Sequence, residues 1–144
     1  MKNRAVLLFL WLALSTFAVR ADDPPAGGKA PAEEAKKEPF RNVGVDEFAK
    51  LRGGSTNNVV LDVRTPKEFE RGHIPGAINI DVNSPDFKEK TKTLDKSKLY
   101  LVNCAAGVRS AKACKILYGL DFPNLVNLEG GFKSWEKAGK PVEK

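Results

Sequence analysis

The apolar and polar positions of residues 40–142 fall into two alternating kinds of segment. Val59-Val60-Leu61 inside Asn58 to Val63, and the run Lys98 to Val102, are apolar in succession, as in a strand covered on both faces. Phe40-Arg41-Asn42-Val43, Ala77 to Ile80 and Asn124 to Leu128 read as three further strands. Between them lie helical signals. Val45, Phe48, Ala49 and Leu51 form one apolar face, and Gly53-Gly54 is expected to stop that helix. Thr65-Pro66-Lys67-Glu68 is a capping box with proline at the first helical position, opening a brief helix to Arg71. A second proline-started helix is expected after Ser84-Pro85, with Ser84 as its cap. Arg109 to Leu120 places Ala113, Ile116, Leu117 and Leu120 at helical spacing, and Phe132 to Lys137 is the last helix, with Trp135 in the core. This alternation predicts an α/β domain: a mostly parallel five-stranded sheet with helices on both faces. In such sheets the functional crevice lies at the carboxyl ends of the strands, where this reading puts Asp62, Val63, Arg64 and Cys104.

The pattern changes before residue 40. Lys2 and Arg4 precede a 15-residue apolar run, Ala5 to Val19, and Val19-Arg20-Ala21 offers small residues at the cleavage positions. Residues 1–21 are therefore read as a secretory signal, too short for the ~20 residues of a spanning helix. Export to the periplasm or outside the cell is expected, with no stable membrane insertion after cleavage. Residues 22–39, rich in Pro, Ala, Gly, Glu and Lys, are read as a flexible linker, and residues 40–142 as the domain. Removing Lys2, Arg4 and Arg20 lowers the formal charge from +6 to +3; the linker carries −2, so +5 belongs to the domain. That balance can steer small anions. No stretch combines clustered Lys/Arg with aromatic residues, so nucleic acid is not an expected partner.

The chain has two cysteines, Cys104 and Cys114, and one histidine, His73, too few for a metal site. Cys104 ends an apolar strand and is followed by Ala105-Ala106-Gly107-Val108-Arg109-Ser110 and a helix start. Backbone N–H groups of such a loop and of the helix beginning converge on one point and favour a negative charge there. The same field raises the thiolate fraction of a cysteine. Gly107 permits a backbone conformation that side chains resist. Arg109 opposes the helix dipole at a helix start, which points to an anion beside it. Ser110 is placed to donate either to the sulfur or to its own helix. Asp62 reads as a strand-end carboxylate holding a neighbouring loop. Cys114, at the edge of the helix's core face, reads as a packing residue before a resolving thiol.

The loop Cys104 to Ser110 resembles the active-site loop of the rhodanese (sulfurtransferase) family, being one residue shorter between cysteine and arginine than the phosphate loop of cysteine phosphatases. Leu61-Asp62-Val63-Arg64 with Glu68-Phe69 and Gly72-His73-Ile74-Pro75-Gly76-Ala77 extends the resemblance, as does Glu129-Gly130-Gly131-Phe132 with Trp135 and Gly139. Together these cover roughly residues 40 to 142, and the combination is far more specific than a lone Cys-x4-Arg. The resemblance implies a rhodanese-like fold and a thiosulfate sulfurtransferase-like enzyme working by double displacement. Cys104 would take the outer sulfur of thiosulfate or a similar small anionic donor as a persulfide, and a thiol or cyanide would remove it. Residues 105–110 would hold the sulfur, with Asp62, Arg64 and His73 in supporting roles. No cofactor or metal is implied, and a monomer is expected. The alternatives are a non-enzymatic sulfur- or partner-binding module, a phosphatase or arsenate reductase, and a thiol redox protein pairing Cys104 with Cys114. Two alanines after the cysteine, where many family members carry a charged or polar residue, leave the donor open.

Overall fold

A computed structural model describes residues 39–144; the proposed signal segment and all but the last residue of the linker lie outside the described residues. Five strands and five helices alternate: β1 (Arg41–Val43), α1 (Val45–Gly54), β2 (Asn58–Asp62), α2 (Pro66–Arg71), β3 (Ile78–Asn79), α3 (Phe87–Thr91), β4 (Leu99–Asn103), α4 (Val108–Tyr118), β5 (Leu125–Leu128) and α5 (Gly131–Lys137). The strands form one sheet, ordered β1-β5-β4-β2-β3, and every pairing is parallel.

The uninterrupted apolar strands bury side chains on both faces. On one face Leu61, Tyr100, Val102 and Leu125 pack with Ala113, Cys114 and Leu117 of α4 and Phe87 of α3. On the other, Val43, Val60, Leu101, Val126 and Leu128 pack with Phe48 of α1 and with Phe132 and Trp135 of α5. Burying one such aliphatic side chain stabilises the fold by about 1.5–3 kcal/mol. Phe48 and Trp135 meet edge-to-face at 6.1 Å, tying α1 to α5 under the sheet.

The strand order decides where chemistry can sit. β2 and β4 are neighbours, with Asp62 aligned on Asn103 at their carboxyl ends. The chain leaves β2 toward β3 on one side and leaves β4 toward β5 on the other. Connections that diverge in this way open a crevice at the strand ends, and it lies directly beside Cys104.

Two local expectations need correction. Gly53 and Gly54 are the last two residues of α1 and do not stop it; Ser55 follows in extended conformation as the C-cap. Ser84 does not cap α3: Asp86 holds the N-cap position, and the Ser84 hydroxyl donates to the Asp86 carboxylate. Because α3 begins at Phe87, Ser84 lies two residues before the N-cap position, where its oxygen is not placed to accept from the first-turn N–H groups.

Candidate active site

The loop after β4 is shaped from behind. Gly131 approaches it so closely that a Cβ there would lie 2.4 Å from the Cys104 carbonyl oxygen and 2.6 Å from the Ala106 nitrogen, and its φ of +59° is itself a glycine conformation. With no side chain in the way, the N–H of Phe132 donates to the Cys104 carbonyl at 2.7 Å and that of Lys133 to the Ala105 carbonyl at 3.1 Å. The first turn of α5 thus engages the loop's carbonyls, and its N–H groups are left to face the sulfur. Gly107, at φ +95°, completes the turn and serves as the N-cap position of α4. The amide of Asn127 on β5 reaches the Gly107 carbonyl at 3.4 Å.

Cys104 Sγ sits inside this turn, accepting from the N–H of Gly107 at 3.1 Å and from the Ser110 hydroxyl at 3.3 Å. Burial opposes ionisation of the thiol. The Ser110 hydroxyl and the N–H groups of Ser110, Ala106 and Gly107 outweigh it and hold the thiol below its ordinary range. Val108 is exposed, and Ala105 and Ala106 offer only backbone to the sulfur's surroundings.

Arg109 is engaged by a carboxylate of its own chain. Its Nη1 and Nη2 donate to Glu68 Oε2 and Oε1 at 2.8 and 2.7 Å, a bidentate pair across 41 residues at the crevice between α2 and α4. The carboxylate does two jobs, since its Oε2 also accepts from the Thr65 N–H and hydroxyl in the capping box that starts α2. The Arg109 guanidinium, against the cost of partial burial, keeps the Glu68 pKa down at about 2, and Thr65 adds to the effect. Glu68 belongs to one of the family-like stretches, but nothing in the local sequence pairs it with Arg109; contact across two connections is set by the strand order.

The remaining residues singled out above form a frame around the site. Asp62, fully buried, accepts the Arg64 backbone N–H and its guanidinium, the shortest contact being 2.7 Å. Arg64 also donates to the Gly72 carbonyl and lies over the Phe132 ring at 4.2 Å, linking β2, the turn after α2, and α5. His73 stacks on Phe69 at 3.7 Å, its Nδ1 lies 3.1 Å from the Phe69 carbonyl, and its backbone pairs with Glu143 near the carboxyl terminus. None of these contacts reaches Cys104. Cys114 is fully buried and free, as is Cys104, and burial followed by the nearby charge of Cys104 pushes its thiol up to about 12. It lies within the core face of α4, further in than its helical-wheel position indicates.

The arrangement therefore supplies a thiol whose ionisation is favoured by its donors, a ring of N–H groups that stabilises negative charge on a sulfur, and a rigid support. Residues 44–138 match the rhodanese-like domain family. Thiosulfate sulfurtransferase 16, chloroplastic, of Arabidopsis thaliana is 37% identical over 93 residues, covering 58% of this chain and 78% of that protein. The thiosulfate sulfurtransferase GlpE of Pseudomonas entomophila is 33% identical over 97 residues, covering 67% and 84%. Among solved structures, a rhodanese-related protein from Thermoplasma volcanium superimposes with a TM-score of 0.62 at 39% identity, covering 72% of this chain and 98% of that one.

Proposed function

This chain belongs to the rhodanese-like family of sulfurtransferase-type enzymes, and we propose that it moves a sulfane sulfur from thiosulfate or a similar donor to a thiophilic acceptor through a persulfide on Cys104. The observation that carries this is the donor ring around Cys104 Sγ, with Gly107 N–H at 3.1 Å and Ser110 Oγ at 3.3 Å. The thiolate attacks the outer sulfur of the donor, forming an S–S bond to Cys104 while the donor's own S–S bond breaks and sulfite leaves with the electron pair. Negative charge on the carried sulfur is stabilised by the same N–H groups, as in an oxyanion hole. The acceptor then attacks the outer sulfur and returns Cys104 as thiolate, so the cycle needs no external redox partner. Residues 1–21 support the further proposal that this happens in the periplasm or outside the cell.

Intact-mass spectrometry of the mature protein before and after thiosulfate, then after cyanide, tests the cycle. One added sulfur on Cys104 that cyanide removes, with thiocyanate appearing, is the expected result. No added sulfur with thiosulfate or 3-mercaptopyruvate overturns the small-anion donor.

A further inference from the structure

The one arginine of the sulfur loop stands beside the reacting sulfur with its charge already answered. Arg109 directly precedes Ser110, whose hydroxyl donates to Cys104 Sγ. Both of its terminal nitrogens are taken by Glu68, at 2.8 and 2.7 Å. The two side chains are only 28% and 31% exposed, so solvent and salt screen their charges incompletely. Glu68 is the main group holding the guanidinium pKa above its ordinary value, against the effect of burial, and the charges of Cys104 and Asp81 add to it. Asp81 lies between Ile80 and Val82, whose N–H groups donate to the Asp62 and Val63 carbonyls, which places it at the same carboxyl end of the sheet. One guanidinium therefore serves two carboxylates and the Cys104 thiolate.

That arrangement bears on which sulfur donor the site accepts. A dianion approaching Cys104 meets N–H groups and a hydroxyl, but the loop's guanidinium offers it little net charge, and the Glu68 carboxylate repels it. A donor with a single negative charge loses less to both effects. Thiosulfate is the dianion; an alkanethiosulfonate carries the same sulfane sulfur with an organic group in place of one charged oxygen. We infer that Glu68, acting through Arg109, sets the donor preference of this site, biasing the loading of Cys104 toward singly charged sulfane donors and away from dianions. The inference rests on the transferase reading above and narrows its donor. In the step, the Cys104 thiolate attacks the outer sulfur of the thiosulfonate. An S–S bond forms to Cys104, the sulfur–sulfur bond of the donor breaks, and a sulfinate leaves with the electron pair, so no outside oxidant or reductant is needed.

The test compares kcat/KM for thiosulfate and for methanethiosulfonate, with cyanide as acceptor and at low ionic strength. In a double-displacement cycle this quantity reports the loading half-reaction alone. Wild type, Glu68→Gln and the double variant Glu68→Gln with Arg109→Gln are measured. Glutamine keeps an oxygen for the Thr65 capping box and for the guanidinium while removing the charge. Glu68→Gln is expected to raise the thiosulfate-to-methanethiosulfonate ratio about tenfold, mainly by lowering KM for thiosulfate. Added salt should shrink that gain. The double variant should return the ratio to near the wild-type value, because the gain requires a bared guanidinium. A purely structural role for Glu68 would slow both donors together and leave the ratio where it was. An unchanged or lowered ratio in Glu68→Gln, or a raised ratio that persists in the double variant, overturns the inference. If intact mass shows that neither donor adds sulfur to Cys104 of the wild type, the transferase reading itself fails, so the two failures are told apart before any variant is made.

Discussion

Cys104 and Cys114 are ten residues apart, on the same side of the sheet, and both are almost completely buried, yet their thiols are pushed in opposite directions. Cys114 faces apolar side chains within α4's packing face, and desolvation followed by the charge of its neighbour takes it up to about 12. Desolvation opposes ionisation of Cys104 too, but a hydroxyl and three N–H groups converge on it and reverse the outcome. Burial therefore does not decide whether a cysteine is inert. What decides is whether hydrogen-bond donors are held where the anion forms, and here that arrangement is made by Gly107, Ser110 and the close approach of Gly131.

The comparison is broken most completely by Cys104→Ser, which keeps the shape and removes the nucleophile; thiocyanate formation is expected to fall on the order of 10³-fold or more, with the thermal unfolding midpoint little changed. Gly131→Ala comes next. A Cβ 2.4 Å from the Cys104 carbonyl and a left-handed φ force the loop to move, so a stability loss on the order of 3 kcal/mol in urea unfolding is expected along with loss of transfer. Ser110→Ala removes one donor to the sulfur and should lower transfer roughly 10- to 100-fold while leaving the fold intact, since a hydrogen bond to a charged group is worth about 1.5–3 kcal/mol.

Glu68→Gln weakens the clamp on Arg109 and the cap of α2 together, costing about 1 kcal/mol at pH 7. Its sign with pH is fixed: a carboxylate whose folded pKa is about 2 contributes fully above its unfolded value of about 4.3, and the contribution is lost as pH falls from there toward about 2. The gap between wild type and variant in denaturant midpoints should therefore narrow at pH 3. Cys114→Ala is expected to have the smallest effect, about 1 kcal/mol of stability from lost packing and no change in sulfur transfer.

Features set by neighbouring residues were legible in the sequence. Val59-Val60-Leu61 announced a strand with two covered faces, the Thr65 to Glu68 box began a helix where expected, and Cys104 stood between a strand and a helix. Features set by distant partners were not. β1 lies beside β5, the strand most remote in sequence, because the sheet order is decided by packing. Arg109 signalled an anion through its conflict with the helix dipole, but the anion the structure places there is Glu68, brought across from α2. Gly131 was visible as part of a motif; that it lets α5 take the loop's carbonyls needed the close approach itself. Ser84 failed as a cap because α3 begins at Phe87, two residues beyond the start that Ser84-Pro85 signalled, an offset that periodicity does not register.

The central claim is that donors held around Cys104 make it, and not Cys114, the thiolate of this protein. It is tested most directly by titrating thiolate ultraviolet absorbance against pH in wild type, Cys104→Ser and Ser110→Ala. A transition with its midpoint below the ordinary cysteine value of about 8.5, absent in Cys104→Ser and moved upward in Ser110→Ala, is the expected result. A midpoint at or above that value, or a low transition that persists without Cys104, contradicts it.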